Sequence, residues 1–261
     1  MNVLITGERG YIAGQLKDAL SGNSCKCETK SLRAGLPELL GYDTVIHCAA
    51  LVHSKEKDPD SFYRVNTKLT ADLAEKAKSA GVRRFIFMSS IAVYGVSGSL
   101  RGTAVIDAHT PENPVTLYGK SKLMAENELR GMADRHFSVY ILRLPMVYGE
   151  GAPGNYARLC RLVKIAPVFP DVSNARSMIS VENLRHYVIS LVESIGETLG
   201  CIHVMYPRDP KPVCTARLAV SIAAAQGKTL RLSPLLGWLV LMFPVEPALK
   251  LFGSLMYAED L

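Results

Sequence analysis

Apolar positions along this chain follow two rhythms that take turns. Short, nearly continuous apolar runs, N-V-L-I-T at 2–6, D-T-V-I-H-C at 43–48, V-R-R-F-I-F-M at 82–88 and S-V-Y-I-L-R-L at 138–144, read as strands buried on both faces. A further strand falls within Cys25–Leu32. Between these runs the apolar residues recur at helical spacing, over 10–20, over 60–80 and in the stretch carrying Tyr118 and Lys122. Gly81 is placed to close the second of these helices as a C-terminal cap. Beyond residue 150 the pattern loosens, with helices expected at 154–165, 181–195 and 213–226 and short strands between. The stretch from Val96 to Pro114, rich in Gly, Ser, Thr and Pro, reads as a loop. Strand and helix in alternation predict an α/β protein built on a doubly wound parallel sheet. The expected division is a cofactor-type domain over 1–150 and a small mixed lobe over 151–261, some of whose segments return to the core.

Composition narrows the class. With 261 residues, 48% hydrophobic and 21% charged, the chain is long enough and apolar enough for a well-packed core, which excludes a disordered chain. Its net charge of +6 suits a phosphate-bearing ligand or an acidic surface. The Lys and Arg are dispersed, without aromatic interleaving, so no nucleic-acid groove is expected. The six cysteines, 25, 27, 48, 160, 201 and 214, show no C-x-x-C spacing, and with a start that enters a strand at once they point to a reduced, cytoplasmic protein without a signal peptide. The histidines are scattered at no metal-ligand spacing, so no metal is expected. His47 ends an apolar strand and reads as a satisfied core residue, and His53 stands near the expected mouth of the site. Residues 234–257 are strongly apolar but broken by Pro244, Glu246, Pro247 and Lys250, too short a run to cross a bilayer. A buried or dimer-forming helix pair is the preferred reading there. Peripheral membrane contact through 234–257 is the other.

Three motifs carry chemistry. T-G-E-R-G-Y-I-A-G follows a strand and opens a helix. Gly7 allows the tight turn, Gly10 lets the backbone approach a pyrophosphate at the helix N-terminus, and Ala13 takes the small position where helix meets sheet. In Y-G-K-S-K, Tyr118 and Lys122 stand four apart on one helical face. A phenol titrates near ~10 and is a poor base at neutral pH. An ammonium one turn away, together with a positive nicotinamide, would favour the phenolate and let Tyr118 exchange a proton with a sugar hydroxyl. Ser90, in S-S-I-A-V-Y-G, is placed to hold that hydroxyl.

The chain resembles the extended short-chain dehydrogenases/reductases of the NAD-dependent epimerase/dehydratase family, on T-G-E-R-G-Y-I-A-G, D-T-V-I-H-C-A-A, Y-R-V-N-T, F-I-F-M-S-S-I-A-V-Y-G, Y-G-K-S-K, L-R-L-P-M-V-Y-G and R-S-M-I-S-V-E-N-L. These follow family order over residues 1 to about 190, and the likeness is strongest to members of capsule and O-antigen sugar pathways. The resemblance implies a Rossmann-type fold, a nucleotide-sugar substrate and a homodimer. It implies Tyr118 as general acid or base, Lys122 on the nicotinamide ribose and Ser90 as the third member. Gly7, Arg9, Gly10, Tyr11, Ile12, Arg33, Ala49, Ala50, Asn66 and Pro145 would surround the cofactor. Arg176 would grip a nucleotide diphosphate with its bidentate guanidinium, with Asn155 beside the nucleotide.

Two departures from the family pattern matter. Ile91 and Ala92 stand where sugar-nucleotide dehydratases carry an Asp-Glu pair, which disfavours dehydration. Pro145 and Met146 replace the Asn stretch of galactose epimerases. For the cofactor, Glu28 could hold ribose hydroxyls, whereas Arg9, Ser31 and Arg33 could accept a 2′-phosphate, which tilts the choice within NAD(P) to NADP. The expected activity is oxidoreduction at C4 of a UDP-linked hexose, a 4-ketoreductase ahead of a 4-epimerase with retained NAD. A non-catalytic NAD(P)-binding regulatory protein is the remaining alternative.

Overall fold

A computed structural model describes residues 1–22, 25–52, 58–194, 200–243 and 245–261. The chain forms two compact units, the first made of Met1–Gly95, Glu112–Leu144 and Val181–Pro207. Its centre is a six-stranded sheet, in the order Ile202–Met205, Ser138–Leu144, Arg84–Ser90, Thr44–His47, Asn2–Thr6, Lys26–Lys30. Every pairing is parallel. The apolar runs at 84–90 and 138–144 become the central strands because helices cover both faces. Leu4, Val45, Phe85, Phe87, Val139 and Ile141 pack under Leu73, Ala74 and Ala77 of one helix and Ala125 and Leu129 of another. On the opposite face Arg84 Nη1 reaches Val192 O of the helix Val181–Ser194, at 3.4 Å. The edge strand Lys26–Lys30 instead alternates exposed Lys26, Glu28 and Lys30 with half-buried Cys27 and Thr29, the charged pattern that protects a sheet edge.

The first strand lies between the second and third, so the direction of winding reverses beside it. Crevices of this kind, at the carboxyl ends of the strands, are where doubly wound sheets bind ligands.

The expected helix over 60–80 is composite. Asp58 caps a short α-helical start at Pro59–Phe62, the turn widens to π-helix over Tyr63–Lys68, and α-helix resumes at Leu69–Ser79. Asn66, Thr67 and Thr70 are all buried along this stretch. Gly81 does close this helix, at φ +80°, with Gly81 N donating to Lys78 O and Val82 N to Ala77 O, the doubly bonded left-handed cap.

The second unit comprises Val96–Pro111, Pro145–Ser180 and Arg208–Leu261. Residues 96–111 and 145–150 therefore belong to it, and 181–207 to the first. The stretch expected as loop contains a strand, Thr103–Ile106, paired in parallel with Ser254–Tyr257. Met146–Tyr148 pairs with Met178–Ser180, and Val168–Pro170 with Arg231–Ser233. The helices Asn155–Ile165 and Thr215–Ala225 share a core of Leu159, Val163, Phe169, Ala219, Ile222 and Phe252.

Residues 234–257 fold as two short helices, Pro234–Met242 and Glu246–Phe252, and the strand Ser254–Tyr257. The expected buried pair is half right. Ala248 and Phe252 are buried, but in the first helix only Gly237 is, while Leu235 is 66%, Trp238 55% and Met242 50% exposed. Gly237 is turned in because its backbone lies on Asp171, where a Cβ would stand 2.1 Å from the Asp171 carbonyl oxygen. A helix apolar all round has no polar face to offer solvent, so its other sides stay bare. Pro244 and His53 lie outside the described residues, and among those described no helix is long and apolar enough to cross a membrane.

Candidate active site

The turn after the first strand is shaped by two glycines. Gly7 sits at φ +93°, and a Cβ there would lie 2.8 Å from Ala49 N of the neighbouring strand end. Gly7 N donates to Lys30 O at 3.1 Å and Gly10 N to Gly7 O at 2.7 Å, which folds the turn back on itself. Gly10 caps the helix Tyr11–Ser21 without a side-chain bond, and the first turn holds no acid, so the helix N-terminus is left for an external anion. Ala13 is fully buried on the sheet, Tyr11 and Ile12 are half-buried, and Arg9 is exposed. This cradle fits a dinucleotide pyrophosphate.

Glu28 does not stand at the ribose end of the second strand. It pairs with Leu4, two residues before the strand end, accepts Tyr42 Oη at 2.9 Å and lies 3.5 Å from Lys30 Nζ. The Tyr42 bond and the Lys30 charge hold its carboxyl below the usual range. Beside the glycine turn the strand ends on Lys30, followed by Ser31, whose Oγ accepts Arg33 N, and exposed Arg33.

Ala49 and Ala50, both half-buried, follow the third strand. The next residue, Leu51, is gripped from both sides by Asn66: Leu51 N donates to Oδ1 at 2.7 Å, and Nδ2 donates to Leu51 O at 2.9 Å. Asn66 is fully buried and also donates to Ser121 Oγ at 2.9 Å, while Thr67 Oγ1 donates to Ser121 O at 2.9 Å. Ser121 in turn donates to Tyr118 O. The π-helical turn thus braces the cofactor-side turn and the helix of Tyr118 and Lys122 together. Beneath it His47 is the satisfied core residue expected. Thr6 Oγ1 donates to Nδ1 at 2.7 Å, Nε2 donates to Thr70 Oγ1 at 2.9 Å, and Thr70 passes its own proton to Asn66 O. Burial, with help from the Lys122 charge, pulls its pKa to about 3, so it is neutral.

Thr116 caps the helix Leu117–Arg130, accepting Gly119 N at 3.0 Å. Ser90 ends its strand and caps the 3-10 turn Ile91–Tyr94, accepting Ala92 N at 3.2 Å. Gly119 allows helix and turn to meet, since a Cβ there would be 2.5 Å from Ala92 O. At this junction the Ser90 side chain stands close enough to the Tyr118 hydroxyl to act on its proton affinity. Burial pushes the phenol up to about 12, against Ser90, which lowers it. Lys122 is 1% exposed, donates to Met88 O at 2.8 Å and lies 4.3 Å over the Phe87 ring. Burial pulls its ammonium down to about 7. The structure thus brings together Ser90, Tyr118 and Lys122, with Gly7, Gly10, Ala49, Ala50 and Asn66 in the same unit. Gly119→Ala should keep the fold but lower turnover at least tenfold, because the added methyl must push Tyr118 away from Ser90. Steady-state rates alongside circular dichroism check this, and an unchanged rate would show the junction to be slack.

Sequence reasoning missed Thr67, Thr116, Gly119, Ser121 and fully buried Glu126. Of these only Glu126 had a legible signal, one helical turn beyond Lys122.

Pro145, Asn155 and Arg176 belong to the second unit. Arg176 is half-buried, and its guanidinium donates to Gly253 O. No carboxylate pairs with it among the described residues, and desolvation lowers its pKa. Its backbone exchanges two hydrogen bonds with Val213. Asn155 begins its helix, exposed, and its neighbour Tyr156 packs 6.2 Å from the Tyr148 ring. Tyr148 Oη donates to Asp209 at 2.6 Å. Among the described residues no three potential metal ligands stand together.

Residues 23–166 match the profile of the NAD dependent epimerase/dehydratase family. Over its whole length the chain is 32% identical to a UDP-glucose 4-epimerase of Vibrio cholerae, covering 84% of that protein. It is 30% identical over 72% of its length, and 62% of the relative's, to the N-acetyl-alpha-D-glucosaminyl-diphospho-ditrans,octacis-undecaprenol 4-epimerase of Escherichia coli O157:H7. In fold it is similar to the UDP-glucuronic acid 4-epimerase of Bacillus cereus solved with NAD, at TM-score 0.72 and 19% identity, over 99% of this chain and 88% of that one.

Proposed function

Because the chain belongs to the NAD-dependent epimerase/dehydratase family of NAD(P)-dependent enzymes, we propose that it interconverts sugars at C4 of a diphosphate-linked hexose, as a 4-epimerase. The observation that carries the C4 chemistry is the Tyr118 hydroxyl beside Ser90 at the end of its strand, one helical turn from an ammonium fixed on Met88 O. Tyr118 Oη takes the proton of the C4 hydroxyl as hydride leaves C4, giving a 4-keto sugar. Ser90 holds the same oxygen. The sugar turns, hydride returns to the other face, and Tyr118 gives the proton back. The nicotinamide, when bound, supplies the hydride acceptor and a positive charge that favours the phenolate. Gly7, Gly10, Ala49 and Ala50 would hold it, with Asn66 fixing the backbone just after Ala50. Lys122 would bond the ribose. Ile91 and Ala92 put no carboxylate after Ser90, which counts against dehydration.

Epimerase is favoured over the reductase expected from sequence because the relative aligned along the entire chain is a 4-epimerase. One observation favours the reductase: the second strand, bonded through Lys30 O to the glycine turn that carries Arg9, ends on Lys30 and runs on to Arg33, while Glu28 is turned to Tyr42. Denaturing the purified protein and identifying what it releases decides between them. Stoichiometric NAD supports the epimerase, and an empty protein that prefers NADPH supports the reductase.

Arg176 would neutralise the diphosphate, since a desolvated cation whose guanidinium donates to a carbonyl gains from an anion. The diphosphate could bear a nucleoside, as in the Vibrio relative, or a polyprenol, as in the Escherichia one. The bare helix Pro234–Met242 favours work at an anionic membrane surface. Leu162, Ile165 and Val168 add to the exposed apolar set, and exposed Arg161, Lys164 and Arg231 are cations close to them in the chain. Trp238 is the sole tryptophan, so its emission reports directly. It should shift to the blue with phosphatidylglycerol vesicles and return at high salt. A shift that needs no vesicles but follows protein concentration would show that a second copy covers the helix, as in a homodimer, and no shift would remove both.

A further inference from the structure

We propose that Glu126 is a positioning residue for the reaction: it is the carboxylate that sets the charge state of Lys122 and ties the helix of Tyr118 and Lys122 to the strand end bearing Ser90. The proposal rests on the proton-transfer reading of Tyr118 and Lys122. Glu126 has no exposed surface, although nothing in the chemistry above uses it. It stands one helical turn after Lys122 and two after Tyr118, on their face of the helix.

Two partners hold the carboxylate, and they come from adjacent strands. Ser89 Oγ donates to Oε1. Arg143 Nη2 donates to Oε2 at 2.6 Å, and its Nε lies 3.2 Å and 3.3 Å from the two oxygens. Ser89 and Arg143 face each other in the sheet register, so one carboxylate closes a junction of helix and two strands. Ser89 directly precedes Ser90. A displacement of Glu126 would therefore move Ser90 and Tyr118 relative to one another.

Arg143 is itself held on every side. Nη1 donates to Tyr94 Oη at 2.7 Å, the guanidinium lies 4.9 Å over the Tyr94 ring, and Nη2 also meets Glu112. Tyr94 Oη continues to Tyr206 Oη at 3.2 Å, and Arg130 approaches Glu126 from the outer side at 3.6 Å. An arginine engaged so completely makes a rigid anchor, and its fork geometry fixes the carboxylate plane.

The groups around Lys122 identify Glu126 as its counter-charge. His47 is neutral, the Cys48 thiol is pushed by burial up to about 12 and is neutral, and Tyr118 is a neutral phenol. Burial lowers Lys122, and Cys48 first and then Glu126 act against it; with the Cys48 thiol neutral, the standing anion of the two is Glu126. In a dry site such a field acts with little screening.

The test follows the Lys122 side chain by NMR of protein labelled with ¹³Cε-lysine, its signal assigned by its loss in Lys122→Met. In Glu126→Gln the Lys122 titration midpoint should fall by half a pH unit or more, since an anion is lost and Arg143 is left unbalanced. With UDP-galactose as probe, kcat should fall about tenfold with KM within threefold. In Ser89→Ala, which keeps the ion pair but removes a donor from the carboxylate, the midpoint should rise. Opposite shifts of this kind have no source in a merely structural role. A midpoint unmoved in Glu126→Gln overturns the proposal. Should that variant not fold, an unmoved or lowered midpoint in Ser89→Ala overturns it. Tyr118→Phe, measured alongside, separates the two levels: retained turnover there sinks the proton-transfer reading itself, whereas the Lys122 midpoints still judge Glu126.

Discussion

Tyr118→Phe is expected to lower turnover by roughly 10²- to 10⁴-fold while leaving cofactor affinity within a few-fold. The substitution keeps the ring and removes one oxygen. The ring is half-buried, so packing is conserved, and Ser90 retains Ala92 N as a donor to its Oγ. The residues shaping the cofactor cradle, Gly7, Gly10, Ala49 and Asn66, do not depend on the Tyr118 hydroxyl, and the brace from Ser121 runs to its backbone carbonyl. What disappears is the hydroxyl proposed to exchange a proton with the substrate oxygen. Rates with UDP-galactose, paired with NAD(P)H fluorescence titration, measure both halves. Turnover within threefold of the parent protein would assign the proton to another group.

Lys122→Met should abolish turnover to a similar degree and stabilise the protein at neutral pH. The sign follows from burial. Unfolded, the lysine binds its proton up to pH about 10.5; folded, it holds it only to about 7. Between those values the unfolded chain carries more protons, so the stability of the parent protein rises with pH across that window and is lowest, with respect to this group, below 7. Methionine removes the cost of the buried charge but strands Met88 O without its 2.8 Å donor. The net gain at pH 7 is on the order of 1–2 kcal/mol. Urea unfolding from pH 6.5 to 10 should show midpoints that climb for the parent and stay flat for the variant. Parallel curves would mean that the ammonium is solvated in the fold.

The sheet was legible because buried parallel strands write themselves as unbroken apolar runs, and 2–6, 43–48, 82–88 and 138–144 all fall on observed strands. Ser90, Tyr118 and Lys122 were legible because helical spacing and the end of a strand fix where side chains emerge. Three features were not. The π-helical turn has no periodic signature, since its extra residue is set by the burial of Asn66 and Thr67 against Ser121. Strand Thr103–Ile106 exists because Ser254–Tyr257 pairs with it across some 150 residues, a long-range partner that leaves no local mark. Glu28 looked available to a ribose until register placed it two residues short of the strand end, facing Tyr42. The apolar stretch at 234–243 misled in the other direction: hydrophobicity without periodicity says that a helix wants cover and not where the cover lies.

The widened turn at Tyr63–Lys68 has a consequence for how this chain can change over time. Deleting one residue there would restore ideal α-helical winding and spare the helix an irregular stretch. It would also rotate everything on one side of the cut by about 100° relative to the other. Asn66 would then lose Leu51 or Ser121, and Thr70 would leave His47. The better helix would hold the brace worse, so this segment's length matters to the site even through positions such as Tyr63 and Arg64, whose side chains face water.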